Sequence, residues 1–124
     1  MVSSAFFLLN STQMKILGSI ILILTVLVSC NNLEGYETET FTVYGNCGMC
    51  KKTIESSLHD VKGIETGEWD MSTDKMTVTF DPNVISLGDI HKKIAGVGYD
   101  TEKERAPDEV YEKLHSCCQY DRPE

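Results

Sequence analysis

Two thiols at close spacing, Cys47 and Cys50 in Tyr44-Gly-Asn-Cys-Gly-Met-Cys-Lys-Lys-Thr-Ile54, are the most chemically specific feature of this sequence. Cysteines so placed converge on one soft ion or close an exchangeable disulfide, and the spacing leaves both open. A second group stands near the end, His115-Ser-Cys-Cys118. Imidazole and thiolate suit Cu(I), Zn(II) or Hg(II), and geometry rather than residue type selects among them. Cys117 and Cys118 make an awkward disulfide with each other, because adjacent Cα atoms are only about 3.8 Å apart. A staple from Cys47 or Cys50 to one of the later pair is the structural alternative. Met49, between the first thiols, is either an exposed loop residue or a thioether ligand. His59 and His91 have no comparable company and read as surface residues.

The flanking elements must hold these groups. Phe41 and Val43 alternate with Thr40, Thr42 and Tyr44, a half-buried strand, and Gly45-Asn46 turns the chain toward the thiols. A helix follows from Gly48 or Met49 to His59, with Cys50, Ile54 and Leu58 on one stripe. Cys50 in the first turn puts backbone N–H groups and the positive helix end beside the sulfurs, which favours thiolate. Ile64 to Met71 reads as a second strand with Gly67, Trp69 and Met71 on one face. Met76, Val78 and Phe80 mark a third, paired antiparallel to it. Ser86, with Asp89 three residues on, caps a second helix whose buried stripe is Leu87, Ile90, Ile94 and Val97. Tyr99 to Lys103 can form a last short strand. This is an α+β order, βαββαβ, satisfied by a four-stranded antiparallel sheet with two helices on one face. A third, C-terminal helix starts at Pro107 and carries His115 and Cys118 at i and i+3. Its Val110 and Leu114 stripe predicts that it folds back and brings Cys117, Cys118 and His115 toward Cys47 and Cys50; a separate C-terminal site or a mobile tail is the alternative.

The start of the 124-residue chain has another character. Lys15 precedes the apolar run Ile16 to Val28, which ends in Leu27-Val-Ser-Cys30 and has the form of a secretory signal. The run falls short of the ~20 residues that span a bilayer comfortably. Its ending resembles a bacterial lipobox, which implies cleavage before Cys30 and lipid on that sulfur. Met14 is an alternative start. The expected organisation is a lipoprotein signal at 1–29, a tether at 30–37, the folded domain at 38–105 and a helical extension with the Cys/His cluster at 106–124. An uncleaved anchor is the alternative, and either way the domain sits in the bacterial cell envelope, facing the periplasm or the exterior. Nineteen acidic residues against eleven basic ones give a net charge of −8, which disfavours nucleic acid as a partner.

Phe41 to Thr101 resembles the heavy-metal-associated domain of copper chaperones, copper-exporting ATPases and periplasmic mercury-binding proteins. The resemblance rests on the cysteine pair with its helix, on Val78-Thr-Phe-Asp-Pro82 and on Gly98-Tyr99-Asp100. It implies a ferredoxin-like fold, Cu(I) bound by Cys47 and Cys50, and Tyr99 bordering the site. The sequence departs from the family pattern at Gly45, where a methionine is usual, and at Asn46, where threonine is usual.

Three functions are consistent with these features. The first is a membrane-tethered carrier, not an enzyme, that captures Cu(I) and passes it to a metal-exporting or metal-accepting envelope protein. Zn(II) and Hg(II) remain possible cargoes. The second is a metal-dependent interaction or sensor module. The third, a thiol-disulfide oxidoreductase, fits less well, because no aromatic precedes Cys47 directly and too little chain follows for a thioredoxin-like central sheet. No nucleophile–His–acid set, phosphate loop or paired-carboxylate site can be argued from the sequence.

Overall fold

The computed structural model describes residues 35–124. The expected signal segment, Met14 and Cys30 lie outside the described residues. In chain order the elements are β1 (Glu37–Thr42), α1 (Gly48–Ser56), β2 (Ile64–Asp70), β3 (Lys75–Phe80), α2 (Leu87–Gly96), α3 (Asp108–Tyr111) and a 3-10 turn, Ser116–Cys118. Among the described residues no helix is long and apolar enough to cross a membrane.

The strongest alternation in the sequence becomes the middle of the sheet. β3 lies between β1 and β2 and pairs antiparallel with both. Met76, Val78 and Phe80 are buried on one face. Thr77 and Thr79 take the other, where their hydroxyls meet those of Thr40 and Thr38 at 3.2 and 2.9 Å. Phe41 and Trp69 flank Met76 from the two edge strands. Ile54, Leu58, Ile90 and Ile94 join the same buried cluster, so the helical stripes close the apolar face of the sheet. Ser86 caps α2 as expected: its oxygen accepts from the Asp89 amide at 3.1 Å and its hydroxyl donates to the Asp89 carboxylate at 2.7 Å.

Four sequence expectations are corrected. The fourth strand shrinks to an isolated bridge, Val43 to Thr101, flanked by backbone bonds from Tyr44 N to Asp100 O and from Glu102 N to Thr42 O. The ladder goes no further because residues 101–104 close a loop of their own. The Thr101 amide donates to Glu104 O, and its hydroxyl accepts from the Lys103 and Glu104 amides. Met71 is exposed, beyond the end of β2. The C-terminal helix is one turn long and breaks; His115 is extended (φ −54°, ψ 144°) and a 3-10 turn replaces the helix there. His91 is fully buried, not a surface residue. Its Nδ1 lies 2.7 Å from the Thr101 hydroxyl and its ring centroid 4.0 Å from that of Phe41. Burial, then the Lys103 charge, lowers its pKa, so the ring is neutral at pH 7. His59 is exposed, as expected, beside Asp60.

Candidate metal centre

Cys47 is the N-cap of α1, in extended conformation, and its sulfur accepts from the Cys50 amide at 3.4 Å. Cys50 opens the buried stripe of α1, so its side chain points into the core while Cys47 stays half-buried at the mouth. The two sulfurs are 2.8 Å apart, both as free thiols, and Asn46 Oδ1 accepts from the Cys50 thiol at 3.3 Å. A third sulfur arrives from the far end of the chain: Cys118 Sγ lies 3.3 Å from Cys47 Sγ, and all three sulfurs fall within 4.8 Å of one another.

The three thiols have different acidities. Burial raises the pKa of Cys47, but the close Cys50 sulfur and amide, the Cys118 sulfur and the Met49 amide outweigh it and bring it down to about 7. Cys118 is pushed up to about 12, by burial first and then by the neighbouring Cys47 and Cys50 sulfurs. Cys47 therefore gives up its proton more readily than Cys118. Tyr99 closes the inner wall. Its hydroxyl is buried with no hydrogen-bond partner among the described residues, and burial together with the Cys50 and Cys118 sulfurs raises its pKa.

Cys118 is held in place by the residues that follow it. Tyr120 stacks on Tyr99 at 5.7 Å, and its hydroxyl donates to Gly98 O and accepts from the Asp100 amide at 2.6 Å. Arg122 grips the buried Asp100 carboxylate with two bonds, Nε to Oδ2 at 2.8 Å and Nη2 to Oδ1 at 2.6 Å. The same guanidinium reaches Ala106 O and Asp108 and lies over the Tyr111 ring. Leu114 packs directly on Gly98, whose φ of +106° and absent Cβ permit the approach.

The structure thus brings together three of the five expected ligands, Cys47, Cys50 and Cys118. Cys117 and His115 stay on the surface, because the helix breaks before them and of the 3-10 turn only Cys118 faces inward. The sequence analysis does not single out Tyr120 or Arg122, and names Asp100 only within the Gly98-Tyr99-Asp100 motif; the signal for the first two is an aromatic and an arginine just past the last cysteine. The departure at Gly45 has a physical reason. A Cβ there would stand 3.0 Å from the Trp69 ring, so indole fills the space a methionine would need.

Fold and site together define a thiol-lined metal-binding module built on an antiparallel sheet. The profile of the heavy-metal-associated domain matches residues 40–100, and the chain belongs to that family. The copper chaperone CopZ of Bacillus subtilis is 32% identical over 68 residues, covering 54% of this chain and 99% of that protein. A zinc-transporting ATPase of Synechocystis is 38% identical over 64 residues, 51% of this chain, which spans only 9% of the ATPase. Among solved structures, a CopZ metallochaperone superposes with a TM-score of 0.50 at 26% identity, over 52% of this chain and 98% of that one. Cys117, Cys118, Tyr120 and Arg122 all lie beyond the residues matched by the family profile.

Proposed function

We propose that this protein captures Cu(I) with Cys47, Cys50 and Cys118 and hands it to an envelope metal exporter or acceptor. The observation that carries this reading is the convergence of three unbridged sulfurs within 4.8 Å at the start of α1. Soft thiolates select Cu(I), which is content with two or three of them, whereas structural Zn(II) sites almost always take four ligands. Among the described residues the cluster offers three. The half-buried Cys47 leaves one side of the site open to an incoming thiol, so the ion can leave by stepwise exchange of sulfur ligands. The name of the CopZ relative supports copper as cargo, and that of the ATPase keeps zinc as the competitor to test. In this reading Cys30 carries lipid and tethers the domain to the membrane outside the cytoplasm.

A competition titration of the reduced protein with Cu(I), Zn(II) and Hg(II) tests the proposal. Cu(I) should bind in preference to Zn(II). Cys47→Ser and Cys50→Ser should each lose most Cu(I) affinity while keeping the fold, because neither substitution opens a large cavity. Equal Cu(I) affinity in the parent and both variants would overturn the assignment. Catalytic turnover of a disulfide substrate would favour the oxidoreductase instead.

A further inference from the structure

Cys117 is left outside the trithiolate cluster, and its surroundings have a chemistry of their own. Its Sγ lies 3.8 Å from Met49 Sδ, 3.8 Å from His115 Nδ1 and 3.8 Å from Cys118 Sγ. Cys117, Met49 and His115 are all exposed. A thioether, a thiol and an imidazole on one small patch make a soft donor set. The separations also suit an ion. With metal–sulfur bonds of about 2.3 Å and metal–nitrogen bonds of about 2.0 Å, ligands set 110–120° apart are separated by about 3.6–4.0 Å. Of the proposed donors, Met49 and His115 each stand at about such a distance from Cys117.

The patch adjoins the inner cluster. Cys117 and Cys118 are neighbours in the 3-10 turn, one facing out and one in, and the sulfurs run from Cys117 to Cys118 at 3.8 Å and on to Cys47 at 3.3 Å. Met49 sits one residue from Cys50, in the first turn of α1. Two segments far apart in sequence therefore meet at the surface through sulfur atoms, directly above the buried cluster. Met49 also gains a rationale here: this large apolar side chain is 52% exposed and stands beside Cys117.

We propose that Cys117, Met49 and His115 form a second, outer soft-metal site, which receives Cu(I) from solvent or a donor protein and passes it through Cys118 to the inner thiols. This rests on the reading of the inner cluster as a Cu(I) site. The step is a ligand exchange without redox change. The bonds from copper to Cys117, Met49 and His115 break as bonds to the Cys118, Cys47 and Cys50 sulfurs form, and the ion stays Cu(I). Each thiol that becomes a ligand gives its proton to water, and the released Cys117 thiolate takes one up. Exposure makes the outer site the weaker one, since its ligands lose less to solvent when the ion departs.

The experiment is an anaerobic titration of the reduced full-length protein with Cu(I), followed by the ¹³C resonance of the Met49 methyl and the ¹⁵N resonances of His115. A first equivalent should fill the inner site with little change at these nuclei, and a second should shift both. Met49→Leu/Cys117→Ser should lose the second equivalent and keep the first. Cys47→Ser/Cys50→Ser should keep the Met49 and His115 shifts, now with the first copper added, which separates failure of the inner-site reading from failure of this one. The proposal is overturned if the parent shows no shift at Met49 and His115 with two equivalents. Retention of both equivalents by Met49→Leu/Cys117→Ser overturns it as well.

Discussion

Removing the Arg122 guanidinium tests whether the tail is a structural part of the domain. Asp100 is 1% exposed and accepts two bonds from Arg122 and one, at 2.7 Å, from the Ala106 amide. Arg122→Ala leaves that carboxylate buried with a single donor. Breaking a buried ion pair in this way costs about 3–5 kcal/mol, and the low end applies because the Arg122 side chain is 12% exposed, so water can enter. The arm to Asp108 adds about 0–1 kcal/mol, since Asp108 is 78% exposed. A loss of about 3 kcal/mol is large beside the about 5–13 kcal/mol expected for a folded unit of this size. Urea unfolding at pH 7 measures it, read by the fluorescence of Trp69, the sole tryptophan, which is buried and bonded to Val43 O. Burial pushes the Asp100 carboxyl up, but the Arg122 guanidinium and the Ala106 amide outweigh that and hold it below its usual value. The pair's contribution is therefore complete above the unfolded pKa of about 4 and is lost as pH falls through the folded value. The gap between parent and variant should narrow on acidification to the same extent. Asp100→Asn/Arg122→Ala should be more stable than Arg122→Ala, because no buried charge is left unpaired. Equal midpoints for Arg122→Ala and the parent at pH 7 would refute the clamp.

Other expectations concern the site directly. Cys118→Ser should lower the copper–sulfur coordination number measured by X-ray absorption from three to two, with the fold intact by circular dichroism. Below the Cys47 pKa of about 7, copper must displace one more proton, so apparent Cu(I) affinity should fall about tenfold further per pH unit than it does above it. Competition titrations between pH 5 and 9 would show that break in slope. Gly98→Ala forces a side chain into positive φ and within 2.9 Å of Leu114, so it should destabilise by about 1–3 kcal/mol in urea unfolding and loosen the tail that carries Cys118.

What could be read from the sequence was local and repetitive. Met76, Val78 and Phe80 announce a central strand because a period of two matches the pleat of a strand and no helix, and Cys50, Ile54 and Leu58 align at the helical period in the same way. Ser86 with Asp89 is a capping pair whose partners are three residues apart. The misreadings depend on distant partners. Thr101 looks like a strand residue, yet His91, ten residues earlier, shares its hydroxyl. Pro107 opens a helix as its type suggests, but long-range bonds end it: the Tyr111 hydroxyl donates to Tyr120 O and Gln119 Nε2 to Glu112 O. The inward turn of Cys118 depends on Tyr120 and Arg122 finding Gly98 and Asp100, about 22 residues back, and no periodicity encodes that match.

The third sulfur comes from a segment 71 residues away from the first, pinned beside the thiol pair by Tyr120 and Arg122. In the proposed copper transfer, a partner thiol must therefore displace a rival that cannot diffuse away. A sulfur held so close has an effective concentration on the order of mM or more, and it recaptures the ion each time the incoming bond lapses. Small thiols free in solution at lower concentration are poor acceptors under that condition. A protein that docks and presents its own cysteines at comparable local concentration can compete, so in that transfer the tail would turn a chemical preference for sulfur into a selection for bound partners.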